Sequence, residues 1–362
     1  MAPVRIAVAG AGLIGRTHIA VLRSASPGFS LAGVADPSPA AQKEARALGY
    51  ACYRDVEELL DKERPDGVVV AVPNQLHLKV GLACISRKLP ILIEKPVADT
   101  LASALELVDA ADDAGVPTLT GHHRRHNPIM RRAAEIILDG GIGRVVAATA
   151  TYLSHKPRGY HDAAWRREPG GGPVLLNAIH DIDCLRMLIG DVSTVMAADS
   201  RAVRGFAVED TAAAVLTFKH GALGTLICSD TASAPWSWEW TARENPDFPH
   251  EPVACIHIAG TLGSLEVPTL LHRWHEQGRE HWHVSLTARR HHVAPADPYA
   301  EQMRNFAAVI RGDEAPLLTG RDGTRTLATT LAISRSAADG QPVDVEDLMA
   351  SAAARPRPAP KM

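Results

Sequence analysis

The chain has 362 residues, 46% of them hydrophobic and 22% charged, as is usual for a soluble globular protein. This length predicts two domains rather than one small core. A net charge of −3 excludes the broad basic field of a nucleic-acid-binding protein. There is no signal-peptide pattern and no apolar run approaching the roughly 18 residues of a membrane span. We therefore expect neither nucleic acid nor a membrane as a partner.

The cysteines predict a reducing compartment. They are odd in number, widely spread and without a CxxC pair: Cys52, Cys84, Cys184, Cys228 and Cys255. Such spacing favours buried thiols over a disulfide or zinc framework, so we expect a cytoplasmic protein.

Short apolar strands and helices alternate over the first third of the chain. The strand-like runs are Val4–Ala9, Leu31–Ala35, Gly67–Val72, Ile91–Ile93 and Val116–Leu119. Helical patterns separate them, near Ile14–Ser24, Pro39–Leu48, Val56–Leu60, Leu76–Ser86 and Leu101–Ala114. Repeated βα units of this kind predict a doubly wound parallel sheet, which we assign to a domain over residues 1–122.

A second domain is predicted over residues 123–345. Helices are expected at 129–138, 175–189, 299–311 and 323–338. Longer extended runs, several of them alternating in polarity as antiparallel strands do, are Arg144–Leu153, Thr194–Val203, Thr211–Lys219, Ala222–Ser229, Ala254–Ala259, Gly263–Val267 and His281–Leu286. Residues 346–362, which end in a Pro-rich stretch, are expected to be a disordered tail.

A glycine pattern follows the first predicted strand and opens the first predicted helix. It reads Gly10-Ala11-Gly12-Leu13-Ile14-Gly15. In such a pattern the first glycine permits a tight turn, the second admits a pyrophosphate, and the third lets helix and strand pack closely. The helix N-terminus adds N–H groups for the phosphates. The alternative is a glycine-rich turn that binds nothing, but the context favours a Rossmann dinucleotide site.

Asp36 ends the second predicted strand, where an acidic residue would hold the adenosine ribose. Its carboxylate would repel a 2′-phosphate, and no basic residue follows it in Pro37-Ser38-Pro39. The sequence therefore predicts NAD rather than NADP. Arg16 is one possible partner for such a phosphate.

Two more strand ends carry candidate residues, because ligands of such sheets bind beyond the carboxyl ends of the strands. Pro73, Asn74 and His77 follow the third strand run and are candidates for cofactor contact, although His77 could equally be a solvent-exposed residue. Glu94-Lys95-Pro96 ends the next strand run. A lysine at this point could transfer a proton beside the cofactor, and Glu94 could orient the lysine and also contact the cofactor. The alternative is an ordinary surface lysine.

A polar row is predicted on the helix that follows Gly170-Gly171-Gly172-Pro173. Asn177, His180 and Asp183 fall at i, i+3 and i+6, along one side. This row could supply a proton relay and bind hydroxyl groups. A hydrogen-bonded core histidine is the alternative.

Together these motifs resemble the glucose–fructose oxidoreductase / inositol dehydrogenase / rhizopine-catabolism (Gfo/Idh/MocA) family of NAD(P)-dependent oxidoreductases. The resemblance covers roughly residues 3–340. Its markers are Gly10–Gly15 with His18, Glu94-Lys95-Pro96, Arg125 before Pro128, Trp165-Arg166, and the glycine-rich lead into His180 and Asp183.

The resemblance implies a C-terminal α/β domain with a large open antiparallel sheet that forms subunit contacts, hence a homo-oligomer, either a dimer or a tetramer. It implies Lys95 and His180 as catalytic residues. Arg166 falls where relatives contact the cofactor, and Arg125, Asn177 and Asp183 where they bind substrate. Many relatives carry an aspartate four residues before the histidine. Here that position is Leu176, which puts an inositol-like substrate in doubt.

Two further clusters have no assigned role. Six histidines lie between His272 and His292, but the resemblance implies no metal, so none is expected. The aromatic loop Ala234–Trp240 could wall a substrate pocket or pack at a subunit contact.

The sequence thus predicts an NAD-dependent dehydrogenase that oxidises a secondary alcohol of a sugar, polyol or polyhydroxylated cyclic compound. Three alternatives remain: a cis-dihydrodiol dehydrogenase of aromatic-acid catabolism, an NAD-retaining glycoside hydrolase, and a non-catalytic NAD-binding regulator. For the first of these, His155, Lys156 and Arg158 could meet a carboxylate.

Overall fold

The computed structural model describes residues 2–24, 28–276 and 278–354. Within these residues the chain forms two compact units. The first contains residues 2–126, 296–324 and 351–354, and the second contains residues 127–295 and 325–350. The sequence predicts a boundary near residue 122, but no pattern in it indicates that residues 296–324 belong to the first unit.

The first unit is built on a six-stranded parallel sheet. Its strands are β1 (Val4–Ala9), β2 (Phe29–Ala35), β3 (Cys52–Tyr53), β4 (Gly67–Val70), β5 (Ile91–Ile93) and β6 (Thr118–Thr120). Their order in the sheet is β3-β2-β1-β4-β5-β6. This is the predicted doubly wound sheet; the strand that the sequence analysis missed, β3, has only two residues and no apolar run.

Helices connect the strands of this sheet, as expected for βα units. They are Leu13–Arg23, Pro39–Leu48, Val56–Glu63, His77–Ile85 and Leu101–Ala114. Their ends follow local chemistry. Ser38 and Thr100 accept backbone N–H groups at two N-termini, and Gly49 and Gly115 end the same two helices in the left-handed conformation.

A further helix, Pro298–Arg311, completes the core of the first unit. Met303 and Phe306 are fully buried against the apolar residues of the sheet and of Leu13–Arg23. Burying a side chain of this size contributes about 1.5–3 kcal/mol. Asp297 caps this helix through the Tyr299 N–H group.

The strand order brings the sequence motifs to one edge of the sheet. In the order β2-β1-β4-β5 the carboxyl ends are followed by Asp36, by Gly10, by the Ala71–Asn74 segment and by Glu94. Adjacent strands lie about 4.8 Å apart. The chain reverses its winding between β1 and β4, and such a switch point is where open α/β sheets bind ligands.

The second unit is built on a nine-stranded mixed sheet. Its strands are β7 (Val145–Leu153), β8 (Val192–Ser200), β9 (Thr211–Phe218), β10 (Leu223–Ser229), β11 (Ile256–Gly260), β12 (Gly263–Val267), β13 (Leu271–Trp274), β14 (Thr287–Arg290) and β15 (Val343–Asp344). The order is β14-β13-β12-β11-β7-β10-β9-β8-β15. The β7–β10 pair is parallel and the other described pairs are antiparallel, so the sheet is mostly antiparallel.

The helices of this unit are Pro128–Leu138, Ile179–Ile189 and Trp238–Thr241, together with the part of Gly320–Asp339 from residue 325 onward and the part of Val345–Ala353 up to residue 350. Residues alternate between buried and exposed along β9 and β10, so one face of the sheet is packed and the other is open. The open face carries apolar side chains, among them Met196, Val215, Leu223 and Ile227.

Two predictions of local structure are wrong. The expected strand His281–Leu286 is a turn, with Trp282 89% exposed, and the strands lie on either side of it at β13 and β14. The alternating pattern of residues 281–286 has no partner strand among the described residues, whereas the equally exposed Thr287–Arg290 pairs with β13. The predicted tail is wrong for its first part, because Val345–Ala353 is a helix that buries Val345 and Met349. Residues 355–362 of that tail lie outside the described residues.

Across residues 2–24, 28–276 and 278–354, no helix combines the length and the apolar character needed to cross a bilayer.

Candidate active site

The glycine turn of the first unit has the geometry that its sequence predicts. Gly10 has φ +101°, and a Cβ atom there would lie 2.4 Å from the Ala71 carbonyl oxygen. A Cβ at Gly15 would lie 2.1 Å from the carbonyl oxygen of Gly10. In contrast, a Cβ at Gly12 would meet nothing within 4 Å. Two of the glycines are therefore required by the fold, and the third leaves the turn open on one side.

The helix that begins at this turn presents its N-terminus without a side-chain cap. Gly12 is the N-cap residue, and the first turn contains no acidic residue. Leu13 is 90% exposed, whereas Ile14 packs against the core. Arg16 pairs with Glu44 at 3.0 Å. Uncapped N–H groups and the helix dipole suit an anion such as a pyrophosphate.

Asp36 is held beside the turn by two backbone donors. Its Oδ2 accepts the Ala11 N–H at 2.8 Å, and its Oδ1 accepts the Ser38 N–H at 2.8 Å. Burial acts to raise the pKa of Asp36, but hydrogen bonds from Ser38 and Ala11 and the charge of Arg16 outweigh burial and lower it. The carboxylate is therefore ionised and fixed in orientation. The open turn, the uncapped helix and this carboxylate together fit an NAD molecule.

The segment after β4 contains both accessible and buried candidate residues. Pro73 is exposed and Asn74 is half-buried, which leaves both accessible at the carboxyl edge. His77 is only 2% exposed, so its ring is neither in contact with solvent nor open to a cofactor. Its Nδ1 lies 3.0 Å from the Pro96 carbonyl oxygen and its Nε2 lies 2.9 Å from that of Val72. Its ring therefore ties the segment after β4 to the segment that contains Lys95.

Glu94 is also turned inward, which corrects its assignment as a cofactor ligand. It is 5% exposed, and its Oε1 lies 2.7 Å from Nε2 of the fully buried His18. Its Oε2 accepts the N–H of Lys95 at 3.2 Å. Lys95 itself is half-buried at the end of β5. Through these two contacts Glu94 joins the His18 ring to the backbone of Lys95 within the first unit.

A short basic segment follows β6 at the same edge. His123 stacks on Tyr299 with ring centroids 4.4 Å apart, and Tyr299 meets His18 edge-on at 5.7 Å. Arg125 is half-buried in this segment. The aromatic contacts connect the basic segment to the His18–Glu94 pair within the first unit.

In the second unit the predicted helix 175–189 starts as a π-helical segment, Val174–Ala178, and continues as the α-helix Ile179–Ile189. Wider turns of this kind occur often at functional sites. Asn177 lies in the π-helical segment and is half-buried, and His180 lies in the first turn of the α-helix and is 8% exposed.

Asp183 is 1% exposed and accepts a hydrogen bond from Thr326 Oγ1 at 3.0 Å. Thr326 in turn accepts from Arg186 Nη1 at 2.7 Å. This is the environment of a residue that supports the helix. The resemblance implies that Asp183 binds substrate, whereas here its side chain is buried in a hydrogen-bonded network within the unit.

Glu209 is a residue that the sequence analysis missed. Its Oε1 accepts the N–H of Val174 at 3.1 Å, and a Cβ at Gly172 would lie 2.4 Å from the same carboxylate oxygen. Burial raises the pKa of Glu209. Gly172 is thus required for Glu209 to hold the start of the π-helical segment, a relation that no local spacing indicates.

Arg166 is held by its neighbours in the second unit. Its Nη1 donates to the Tyr160 carbonyl oxygen at 2.6 Å, and its guanidinium carbon lies 3.9 Å from the centroid of the Tyr160 ring. A Cβ at Gly171 would lie 2.7 Å from the Cα of Arg166, so the loop of Arg166 packs directly on the glycine-rich lead.

Some residues of the two unassigned clusters make contacts within the second unit. His272 stacks with His291 at 5.6 Å, and its Nε2 lies 2.8 Å from the Gly141 carbonyl oxygen. In the part of the chain that the structure describes, no group of three His, Cys, Asp or Glu side chains could hold a metal. Within the aromatic loop, Trp238 is buried and its indole N–H donates to Glu244.

Comparisons with known proteins show the family of this chain. Residues 4–122 match the family model described as an oxidoreductase family with an NAD-binding Rossmann fold. Residues 130–266 match the model of the GFO/IDH/MocA C-terminal domain. The chain is therefore an oxidoreductase with an NAD-binding domain. It belongs to the GFO/IDH/MocA family.

Named relatives span most of the chain. It is 30% identical to 1,5-anhydro-D-fructose reductase of Ensifer adhaerens, over 80% of this chain and 83% of the relative. It is 26% identical to scyllo-inositol 2-dehydrogenase (NAD(+)) of Bacillus subtilis, over 95% and 96%. A levoglucosan dehydrogenase structure with NADH and levoglucosan superposes with a TM-score of 0.77 at 22% identity, over 95% of this chain and 99% of that chain. This last similarity concerns the fold.

Proposed function

We propose that this chain is an NAD-dependent dehydrogenase that oxidises a secondary alcohol of a sugar, polyol or polyhydroxylated cyclic substrate. The observation that carries the proposal is the Asp36 carboxylate fixed beside the open Gly10–Gly15 turn. A carboxylate in that position binds the two hydroxyl groups of an adenosine ribose and repels a 2′-phosphate. Named sugar and inositol enzymes among the relatives support the substrate class.

Lys95 and His180 are the proposed proton-transfer residues. When bound, NAD supplies the nicotinamide ring that accepts a hydride. Each of the two residues is proposed to accept or pass on the hydroxyl proton of the substrate. His18 and Glu94 hold the backbone that carries Lys95, and Glu209 holds the segment that leads to His180.

Other residues are proposed to bind the ligands. Leu13, Ile14, Pro73 and Asn74 belong to the cofactor site together with the glycine turn, and Arg166 is proposed there on the resemblance. Arg125 and Asn177 are proposed to bind substrate hydroxyl groups, since both carry hydrogen-bond donors and are half-buried. Asp183 is proposed to act through the helix rather than by contact.

We further propose a homo-oligomer that forms through the open face of the nine-stranded sheet. Met196 pairs with Val215 across β8 and β9, and Leu223 and Ile227 continue the exposed apolar surface on β10. A second copy of the chain would remove these side chains from water. Light scattering on Val215→Glu should show a smaller particle than the parent protein; an unchanged mass would contradict this interface.

A cytoplasmic location is proposed as well. The described cysteines form no disulfide, and burial raises the pKa of Cys84 to about 12, so this thiol does not react readily. Fractionation of cells that express the protein would test the proposal, and recovery outside the cytoplasm would contradict it.

The functional proposal is tested by following NADH formation with purified protein, NAD⁺ and a panel of sugars, polyols and cyclic diols, with NADP⁺ in parallel. Oxidation of a sugar or polyol with NAD⁺ is the expected result. Oxidation of cis-dihydrodiols alone would indicate the aromatic-acid alternative, and glycoside cleavage without net NADH would indicate a hydrolase. Tight NAD binding without any turnover would indicate a regulator.

A further inference from the structure

A positively charged pocket lies in the second unit, and it includes His155, Lys156 and Arg158, which the sequence suggests could meet a carboxylate. Its volume is about 250 Å³. Four cationic side chains line it, Lys156, Arg158, Arg167 and Arg204, together with one carboxylate, that of Asp162. Because the whole chain has a net charge of −3, this concentration of positive charge is a local feature.

The sheet topology explains why the cations meet. β7 and β10 are parallel, so the residues after both strands lie at one edge of the sheet. The Lys156 N–H donates to the Asp230 carbonyl oxygen at 2.9 Å across this edge. β9 begins at the same edge, since Thr211 pairs with Ser229, and the loop before β9 carries Arg204.

One wall of the pocket is fixed by a buried carboxylate. Asp230 is 3% exposed; its Oδ1 accepts from Arg204 Nε at 2.8 Å, and its Oδ2 lies 3.1 Å from His161 Nε2. Arg204 Nη2 also donates to the Asp230 carbonyl oxygen at 2.6 Å. These bonds fix the guanidinium and leave Nη1 unused among the described residues. A preorganised donor of this kind loses little freedom when it binds an anion.

The other cations form no ion pair within the described part of the chain, although the charges of Glu239 and Asp230 act on Lys156. The Lys156 ammonium lies 5.0 Å from the Tyr160 ring centroid and 5.5 Å from that of Tyr152, and it forms no ion pair there. Burial lowers the pKa of Lys156. Arg158 and Arg167 are exposed and likewise form no ion pair with described residues. Counted against the three carboxylates of Asp162, Asp230 and Glu239, the four cations leave an excess of positive charge that a bound anion would balance.

The pocket is physically connected to the proposed catalytic segment of the same unit. The Arg204 N–H donates to Asp210 Oδ2 at 2.9 Å. Glu209, the preceding residue, holds the N–H of Val174 at the start of the segment that leads to His180. One loop thus carries both a cation of the pocket and the support of the catalytic helix, which favours the substrate as the source of the anion.

We propose that this pocket binds a carboxylate or phosphate group of the substrate, so that the enzyme acts on an acidic sugar or polyol. The inference rests on the proposed dehydrogenase function and specifies its substrate class. An unattached anion offers the same chemistry, and the experiment separates the two sources.

Binding is measured first, by calorimetry at low ionic strength because salt screens exposed charges. The ligands are D-glucuronate, D-glucose 6-phosphate and inorganic phosphate. The proteins are the parent, the double variant Arg158→Gln/Arg167→Gln, and Arg290→Gln, an exposed arginine of β14, as control. We expect the Kd of at least one acidic sugar to rise about tenfold or more in the double variant and to stay unchanged in the control. No binding to the parent, or equal affinity for the double variant, would overturn the proposal.

Kinetics then identify the source of the anion. NADH formation is compared for D-glucuronate, D-glucose 6-phosphate and D-glucose. We expect kcat/KM for an acidic sugar to exceed that for glucose about tenfold or more, and the ratio to collapse in the double variant but not in the control. Oxidation of the neutral sugar without a preference for acid would overturn this inference and leave the dehydrogenase function standing.

Two other experimental outcomes would lead to different conclusions. Phosphate binding that depends on Arg158 and Arg167, without a kinetic preference for acidic sugars, would assign the pocket to an unattached anion and overturn the claim about substrate. Turnover of no sugar, with intact NAD binding, would overturn the proposed function itself.

Discussion

His18 and Glu94 form a buried pair in the first unit, with His18 Nε2 2.7 Å from Glu94 Oε1. The pair lies directly beneath Lys95, whose backbone N–H donates to the second oxygen of Glu94. A buried carboxylate needs such donors, because an unsatisfied one costs several kcal/mol. The His18–Glu94 pair therefore fixes the backbone of the proposed catalytic lysine.

His18→Ala should lower both stability and turnover. The substitution removes a donor to a buried carboxylate, so we expect unfolding free energy to fall by about 1–3 kcal/mol in urea denaturation. The kcat should fall while NAD affinity measured by calorimetry stays near that of the parent. His18→Gln, which keeps a donor, should recover part of kcat, and the exposed His257→Ala serves as control. A loss of stability without any change in kcat would contradict a positioning role.

Glu94 should give the protein a distinctive acid sensitivity. Burial raises the pKa of its carboxyl, but the hydrogen bond from His18 and the charges of His18, Lys95 and His123 outweigh burial and lower it from 4.5. A group with a lowered folded-state pKa stabilises the protein above its unfolded-state pKa, and this stability is lost as pH falls through the folded-state value.

Glu94→Gln should therefore weaken the dependence of unfolding free energy on pH below about pH 4.5. The measurement is urea denaturation across the acid range, with the exposed Glu251→Gln as control. If the unfolding free energies of Glu94→Gln and of the control depended on pH as steeply as that of the parent, the lowered pKa of Glu94 would be refuted.

Asp36→Ala should change cofactor preference. The variant loses the fixed acceptor for the ribose and the repulsion of a 2′-phosphate, so NAD affinity should fall about tenfold or more relative to NADP affinity. Asp113→Ala removes an exposed carboxylate elsewhere in the same unit and should leave the ratio unchanged. Calorimetric titration with both cofactors gives the ratio, and an unaltered ratio for Asp36→Ala would remove this residue from the ribose site.

Alanine substitutions at Gly10 and Gly49 separate the effect of a steric clash from that of a strained backbone conformation. Both have positive φ, +101° and +74°, but only at Gly10 would a Cβ atom meet the Ala71 carbonyl oxygen at 2.4 Å; nothing lies within 4 Å at Gly49. Gly49→Ala should cost about 1–2 kcal/mol of stability and leave NAD binding intact. Gly10→Ala should cost more and abolish measurable NAD binding. Equal effects of the two substitutions would show that the glycine turn is not under steric constraint.

The sequence predicts the first unit well because its signals are local. A glycine pattern after a strand, apolar β-branched runs and capping residues such as Ser38 and Thr100 each specify nearby backbone geometry. Gly10 and Gly15 show this most clearly, since both positions exclude a side chain. The order of the strands then brings Asp36 and Glu94 to the same edge of the sheet as the turn.

The remaining features depend on contacts between distant residues. His77 and Glu94 look accessible in sequence, yet both are buried by partners 19 to 76 residues away. Glu209 acts on Val174, 35 residues earlier, and Thr326 on Asp183, 143 residues earlier. Periodicity shows which residues share a helix face, but it does not identify the side chain that a face meets. This is why Asp183 was expected in the substrate site.

The proposed role of Lys95 in proton transfer is tested most directly by steady-state kinetics of Lys95→Ala beside NAD titration of the same protein. On a substrate found with the parent enzyme, we predict a kcat at least about a hundredfold lower with NAD affinity nearly unchanged. Lys62→Ala, an exposed lysine of the same unit, should behave as the parent does. Normal turnover by Lys95→Ala would contradict the role of Lys95 in proton transfer.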